Sequence, residues 1–372
     1  MVVGSGLQTR GLRLLVAAGG TGGHLYPALA VARELMSREE KAEVLFAGTT
    51  RGLEGRIVPQ AGFRLETLPV LPLRGGSLVR KLTGALVLPL GSLAAWRLLR
   101  RFRPQVVFGM GGYVSGPVLA MAALSGVPTL LLEPNWAPGL ANRWLSRLVD
   151  AAAVAWEGTH RFFGAKAFLS GNPVRQEIAR VPARVPGRVM HLLVFGGSQG
   201  SRILNQAMTE ALAHLAAHRE WIRVAHQTGE ADLGWVRARY REAGFPARVE
   251  PYFEAMADEY AQADLVLARA GATTCAELAA AGRPSILVPL PLAGGHQEEN
   301  ARAMEQAGAA RLLGQSEASG ERLAATLIEL LGEPSLRRQM AEAARKLFRP
   351  EAARAIVDRL LALAAKRVEA RG

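Results

Sequence analysis

The chain has 372 residues, 49% of them hydrophobic and 21% charged, with one cysteine and a formal net charge of +13. That length is too great for one comfortable core and suits two domains, and the composition is that of a folded globular protein. Lone Cys275 excludes an internal disulfide and fits a reducing compartment. No apolar run reaches the about 18 residues of a membrane span. The nearest candidate, residues 84–96, contains Pro89 and Gly91. The N-terminus lacks a secretory pattern, because Leu14–Ala18 is short and runs straight into glycines.

In chain order, the first half predicts strands at Arg13–Ala18, Glu43–Ala47, Gln105–Gly109, Thr129–Leu132 and Ala151–Ala155. Helices are predicted at Tyr26–Ser37, Leu53–Gln60, Leu78–Arg103, Gly116–Leu124 and Pro138–Leu148. Apolar runs separated by helices argue for a parallel sheet covered on both faces. A proline-punctuated connector, Ser170–Pro186, interrupts the pattern. The second half restarts with strands at His191–Phe195, Ile222–Gln227, Arg248–Pro251, Leu265–Ala268 and Ser285–Pro289. Its helices are Ile203–Ala217, Gly234–Ala243, Thr274–Ala281 and Gln297–Gln306, and a last helix, Glu351–Val368, is expected to pack back on the first domain. The expected fold is α/β, with two doubly wound Rossmann-like domains facing a cleft at their strand ends. The expected domains are 1–170 with 350–372, and 171–349.

Each half opens with the same device. Leu12–Met36 and Met190–Leu215 both run from an apolar strand through Gly-Gly, a hydroxyl residue (Thr21, Ser198) and a further glycine (Gly23, Gly200) into a helix. Glycine lets backbone turn tightly beside a ligand, and the following helix aims its free N–H groups at the loop, which makes an anion site. A third glycine loop, Phe108–Pro117, repeats the device. Neither loop of the first domain has dinucleotide spacing, since position 25 is Leu25, and no GKS or GKT is present.

The charge is uneven. Residues 1–175 hold 20 Lys and Arg against 9 Asp and Glu, and no acidic residue falls between Glu66 and Glu133. Within residues 71–103, arginines and Lys81 alternate with leucines, Trp96 and Phe102. That mixture fits a segment lying on an anionic membrane surface, and it fits equally the buried stripe and wet face of ordinary helices. No nucleic-acid-binding module is recognisable, so nucleic acid is not an expected partner.

Six motifs in order then become specific: GGTGGH (Gly19–His24), GMGGYVSGP (Gly109–Pro117), GNPVR (Gly171–Arg175), GGSQG (Gly196–Gly200), RAGATTCAELAAAG (Arg269–Gly282) and HQEEN (His296–Asn300). Together they resemble the MurG family of glycosyltransferases of peptidoglycan synthesis over nearly the whole chain. The resemblance implies a GT-B fold and an inverting transfer of N-acetylglucosamine from UDP-N-acetylglucosamine to undecaprenyl-diphospho-N-acetylmuramoyl-pentapeptide. It implies no cofactor and no required metal, and peripheral attachment at the cytoplasmic face of the bacterial plasma membrane. The absence of an Asp-x-Asp pair agrees, because the helix end after GGSQG can meet the leaving-group charge with fixed dipoles.

The resemblance also implies site residues. Ser198 would touch the diphosphate, Arg175 the nucleotide end, the backbone near Phe253 uracil, and Glu277 the ribose. Ala272, Thr273, Thr274, Cys275 and Ala276 would line the same donor site. Gln297, and Asn135 from the other domain, would reach the sugar. Thr21, Gly22 and Gly23 would lie between donor and acceptor, with Gly20, Gly111 and Gly112 joining them around the acceptor diphosphate. Taken alone, Glu277 reads as a first-turn glutamate favoured by the helix dipole. For the base that deprotonates the acceptor hydroxyl, His24 beside the first loop and Glu133 at a strand end are rivals, with Tyr113 orienting the acceptor. Cys275 reads as small filler.

The family usually has His-Glu-Gln-Asn where this chain has Leu132-Glu133-Pro134-Asn135, which removes two polar groups from the expected acceptor wall. Ala270 replaces the family's serine. A UDP-N-acetylglucosamine 2-epimerase of the same fold, a sugar-nucleotide-binding regulator and a galactolipid or sterol transferase are the competing readings. The epimerase reading leaves the basic, leucine-rich stretch unexplained, and the signature of a regulator would be a replaced base, whereas His24 is present.

Overall fold

The structure is a computed structural model that describes residues 11–20, 22–49, 52–70, 78–185, 187–291 and 295–369. Thr21, residues 71–77 and the side chains of 78–88 therefore lie outside the description, and with them one expected site residue and the first part of the expected membrane segment. The chain divides into two compact units, Met1–Pro173 with Arg349–Gly372, and Val174–Phe348.

The first unit alternates β1 (Arg13–Ala17), α1 (Gly22–Arg38), β2 (Glu43–Gly48), α2 (Glu54–Gln60), β3 (Arg64–Thr67), α3 (Leu78–Phe102), β4 (Val106–Gly109), α4 (Gly112–Leu124), β5 (Thr129–Glu133), α5 (Leu140–Leu145), β6 (Ala151–Val154) and β7 (Ala167–Leu169). The sheet is parallel throughout, in the order β3-β2-β1-β4-β5-β6-β7. Its central strands are buried on both faces, which is why they read as unbroken apolar runs. α1 begins at Gly22, upstream of the predicted start and of Pro27, and buries Leu25, Ala28, Leu29, Ala32 and Leu35 at helical spacing. α4 likewise starts at Gly112, so the third glycine loop runs directly into a helix.

The second unit holds α6 (Gln176–Ala179), β8 (Met190–Phe195), α7 (Arg202–His214), β9 (Ile222–Gln227), α8 (Leu233–Glu242), β10 (Ala247–Glu250), α9 (Met256–Gln262), β11 (Leu265–Ala268), α10 (Ala272–Ala281), β12 (Ser285–Leu287), α11 (His296–Gln306), β13 (Ala310–Leu312), α12 (Gly320–Gly332) and α13 (Pro334–Leu347). This sheet is also parallel, in the order β10-β9-β8-β11-β12-β13. The final helix, α14 (Ala352–Glu369), returns to the first unit. It places Ile356, Val357, Leu360 and Ala364 in the same core as Leu14, Val16 and Leu35, and Asp358 pairs with Arg38 of α1 at 2.7 Å. The buried aliphatic stripe holds α14 in place; an exposed ion pair of this kind adds at most about 1 kcal/mol.

In each sheet the strand order reverses once, between β1 and β4 and between β8 and β11. A doubly wound sheet opens a ligand crevice at such a point, where the loops leaving the two strands diverge. The four loops that leave those strands are the ones carrying GGTGGH, GMGGY, GGSQG and RAGATT.

Candidate active site

In the first unit the two glycine loops are tied together at the ends of β1 and β4. Ser115 Oγ donates to the Ala17 carbonyl at 2.6 Å and accepts the Met110 N–H at 3.2 Å. Gly111 and Gly112 both have positive φ, 81° and 78°, which a side chain would strain. A Cβ on Gly111 would fall 2.5 Å from Asn142 Oδ1, and one on Gly112 would sit 3.4 Å from His24 Cε1. These glycines thus make room for Asn142 on one side and His24 on the other.

His24 is half-buried near the start of α1, and its Nδ1 lies 3.3 Å from the Gly19 carbonyl oxygen. A carbonyl can only accept, so this contact places the proton on Nδ1 and leaves the Nε2 lone pair available. Burial pulls the imidazole below its ordinary value, against the opposing pull of the Gly19 carbonyl and the charge of Glu54. The result is an imidazole that is neutral near neutral pH, the form a general base needs.

Glu54, at the start of α2, is a partner the sequence reading did not single out. Its Oε2 accepts the Gly20 N–H at 3.0 Å, and its Oε1 accepts Thr49 N–H at 2.9 Å and Thr49 Oγ1 at 2.8 Å. The Gly20 N–H, expected to cradle a diphosphate, is therefore committed to a carboxylate. The Tyr113 ring lies over Gly20, with its hydroxyl 3.5 Å from Thr49 Oγ1.

Glu133, the rival base, is 1% exposed and saturated with donors. Oε1 accepts the Asn135 backbone N–H and Nδ2, each at 2.9 Å, and Oε2 accepts Gly139 N–H at 3.1 Å and Asn142 Nδ2 at 2.7 Å. Burial pushes this carboxyl up and those four donors pull it back. Such a group shapes a turn and has no free oxygen for an acceptor proton. Leu132 is fully buried in the first unit's core, so it lines no acceptor wall, and Asn135 Nδ2 donates one hydrogen to Glu133. The turn after β5 is instead held by Trp156 Nε1 on the Pro134 carbonyl at 3.2 Å and Thr159 Oγ1 on the Trp136 carbonyl at 2.8 Å.

In the second unit the GGSQG loop presents Ser198 and Gln199 to solvent just before α7. It packs tightly on the turn after β9: a Cβ on Gly200 would meet the Thr228 carbonyl oxygen at 1.9 Å. Beneath that turn lies a buried polar cluster. Asn205 Nδ2 donates to Thr228 O and Asp232 Oδ2, and His226 lies between Asn205 Oδ1 and Tyr240 Oη, 3.0 Å from each. Arg269 joins the loops of β8 and β11, its Nε donating to Ser201 Oγ at 3.0 Å and its Nη1 to the Val288 and Pro289 carbonyls.

Gln227 at the end of β9 was also missed. Its Nε2 donates to Gly197 O at 2.9 Å and its Oε1 accepts the Phe253 N–H at 2.8 Å. The Phe253 amide is thereby used, and its carbonyl is what that residue can offer to a uracil N–H. The Phe253 ring is buried beneath the Arg248 guanidinium, 4.5 Å from its centroid.

Glu277 sits in the second turn of α10, not the first, so the helix dipole does not account for it. Its Oε1 accepts Arg175 Nη2 at 3.1 Å and Nε at 3.3 Å, and its Oε2 accepts the Tyr260 hydroxyl at 3.3 Å. Thr273 and Thr274 lie half-buried at the N-terminal end of α10, with Ala272 and Ala276 also partly exposed beside them. Cys275 is 1% exposed, and burial pushes its thiol up to about 12, which suits a packing residue. Gln297 Oε1 accepts the Leu290 N–H at 3.0 Å, and buried Asn300 donates to the carbonyl of Ala270 at 3.1 Å.

Profiles of known families match both units. The glycosyltransferase family 28 N-terminal domain matches residues 14–154, and its C-terminal domain residues 191–356. A UDP-N-acetylglucosamine–N-acetylmuramyl-(pentapeptide) pyrophosphoryl-undecaprenol N-acetylglucosamine transferase of Anaeromyxobacter dehalogenans is 45% identical over 361 residues, covering 96% of this chain and 94% of its own. The crystal structure of Acinetobacter baumannii MurG superposes with a TM-score of 0.76 at 29% identity, covering 94% of this chain and 99% of that one. A Neisseria meningitidis UDP-GlcNAc 2-epimerase gives a TM-score of 0.67 at 14% identity over 94% of this chain and 100% of its own, a likeness of fold alone. Matched along nearly its whole length, the chain is a glycosyltransferase of the GT-B fold and belongs to family 28, in the group that MurG represents.

Proposed function

We propose that this enzyme transfers N-acetylglucosamine from UDP-N-acetylglucosamine to the 4-hydroxyl of undecaprenyl-diphospho-N-acetylmuramoyl-pentapeptide, with inversion, and that His24 is the general base. The observation that carries the mechanism is the Nδ1 contact of His24 with the Gly19 carbonyl, which leaves Nε2 basic at the strand-order reversal of the first unit. Nε2 takes the proton of the acceptor hydroxyl as that oxygen attacks the anomeric carbon. The bond from that carbon to the β-phosphate oxygen breaks, and UDP leaves with the electron pair. Charge on the leaving diphosphate is met by Ser198, Gln199 and the N-terminal end of α7, which is preorganised and needs no rearrangement during the reaction. Glu277 and Arg175 bind the ribose and nucleotide end, the Phe253 carbonyl reads uracil, and Gln297 and Asn135 contact the sugar. Gly22, Gly23, Gly111 and Gly112 shape the acceptor diphosphate site beside Tyr113.

The acceptor's lipid tail keeps the reaction at a membrane surface, the cytoplasmic face of the plasma membrane. On the described part of α3, Leu90, Leu93 and Trp96 are exposed, and Leu140, Trp144 and Leu148 are exposed on and just after α5. Both helices pack against α4, and Arg97, Arg100, Arg143 and Arg147 are exposed among these apolar side chains. Apolar side chains ringed by arginines suit the headgroup region of an anionic bilayer. Among the described residues no helix is long and apolar enough to cross a membrane.

The test is transfer of radiolabelled sugar from UDP-N-acetylglucosamine to a synthetic lipid-diphospho-muramoyl-pentapeptide. Label in the lipid fraction supports the assignment. Label that stays on nucleotide, with the donor bound, overturns it.

A further inference from the structure

Glu54 stands where an acidic group is least expected, against the backbone of a loop built to receive an anion. A carboxylate there repels a diphosphate and withdraws one N–H from it, so its presence calls for a compensating role. The side chain is fixed: Glu54 is 1% exposed, both oxygens are occupied, and among the described residues it forms no ion pair. Gly52 and Gly19 leave the space it fills, since a Cβ on either would come within 2.8 Å of a carboxylate oxygen.

The two contacts that matter fall on one peptide group. Glu54 Oε2 accepts the Gly20 N–H at 3.0 Å, and the carbonyl of that same peptide unit, Gly19 O, lies 3.3 Å from His24 Nδ1. We infer that Glu54 is a positioning residue for His24, acting through the Gly19–Gly20 peptide group. A carboxylate on the N–H side enriches the carbonyl on the other side, because hydrogen bonds in a chain polarise one another. The stronger carbonyl holds Nδ1–H, fixes the tautomer and supports the imidazolium that forms when Nε2 takes the acceptor proton. This is the orienting task of a carboxylate in a catalytic triad, performed here with one peptide unit in between. The Coulombic pull of Glu54 on His24 acts in the same direction. Of the other titratable groups nearby, Tyr113 on α4 lies over Gly20, Tyr26 follows on α1, and Glu133 lies beyond Asn142.

The inference rests on His24 as the base, and the experiment separates the two. In Glu54→Gln, the amide can accept at one end only, and its charge is gone. Nitrogen NMR of the histidine-labelled full chain, assigned against His24→Gln, is expected to show the His24 pKa lowered and its Nδ1–H tautomer less populated. The kcat falls about tenfold, a part of what general-base assistance supplies. The acid limb of kcat/KM moves to lower pH, KM for UDP-N-acetylglucosamine stays unchanged, and Glu54→Asp recovers part of the loss. An unchanged His24 pKa and tautomer in a folded Glu54→Gln protein overturns the inference. A shifted His24 with an unshifted rate profile upholds it and removes His24 as the base. Should the variant not fold, the wild-type protein decides: the Gly20 amide signal must titrate with the His24 midpoint, and a Gly20 signal that ignores His24 overturns the link.

Discussion

Arg175 and Glu277, 102 positions apart, face each other with Arg175 Nη2 and Nε at 3.1 and 3.3 Å from one carboxylate oxygen. Glu277 is buried, so burial pushes its carboxyl up, and the guanidinium is the main influence pulling it back. A ribose diol needs the ionised form, which accepts from both hydroxyls. Arg175→Ala therefore weakens donor binding in a pH-dependent way. Without the cation the carboxyl climbs further, KM for UDP-N-acetylglucosamine rises most at low pH, and it recovers as pH increases. Glu277→Ala removes the acceptor outright and costs about 1.5–3 kcal/mol of donor binding at pH values where the carboxylate is ionised. A KM that is flat with pH in Arg175→Ala would show that Glu277 does not depend on Arg175 for its charge.

His24 and Glu133 are told apart by substitution. His24→Ala keeps the fold and loses about 10²–10⁴ in kcat, the span of general-base assistance. Glu133→Gln turns an NH2 toward two of the four donors, which then lose their acceptor, and costs about 1–3 kcal/mol of stability. Its pH–rate profile is expected to keep its midpoints, because both carboxylate oxygens are taken up by the donors of their own turn. Thermal unfolding and the profile together check this, and a displaced acid limb in Glu133→Gln would restore it as a base.

What the sequence made legible follows from where the physics is local. The strands β1, β4, β8 and β11 are buried on both faces and read as apolar runs, while β3 has two exposed ends and β13 only three residues, so neither stands out. The glycine loops are visible because a positive φ or a close approach demands glycine in any context. Glu54 and Gln227 are not visible, because their meaning lies in which loop the fold brings beside them: Gly20 for one, Gly197 and Phe253 for the other. Glu133 is ambiguous in sequence for the same reason. A strand-end carboxylate looks alike in sequence whether it meets solvent or the amides of its own turn.

His226 offers a stability test away from the chemistry. It is fully buried between Asn205 and Tyr240, and burial lowers its pKa from 6.5 to about 3. A depressed folded pKa gives stability that is present above the unfolded value and lost as pH falls toward the folded one. Between about pH 6.5 and 3 the second unit is expected to lose up to about 1.4 kcal/mol per pH unit from this group alone. His226→Gln is less stable at pH 7.5, having lost ring contacts, but its unfolding midpoint falls less steeply on acidification. Parallel slopes for the two proteins in denaturant titrations across that range would show that another group governs acid unfolding.

Trp144 is 79% exposed on α5, outside the segment where the sequence placed the membrane contact. An indole left in water among exposed Leu140, Leu148, Arg143 and Arg147 is well matched to a headgroup layer, where its ring is buried and its N–H stays wet. Trp96, exposed on α3 with the Arg100 guanidinium 5.1 Å from its ring, belongs to the same helical layer around α4. Trp144→Ala is expected to weaken binding to phosphatidylglycerol vesicles through lost burial, largely independently of salt. Arg143→Glu with Arg147→Glu weakens it at low salt, with little difference from wild type left near 0.5 M salt, where the Debye length is only about 4 Å. Transfer to a short-chain, water-soluble acceptor is unaffected in both. Co-sedimentation with vesicles reads the first two outcomes, and an unchanged Trp144→Ala partition would confine the membrane contact to α3 and the residues before it.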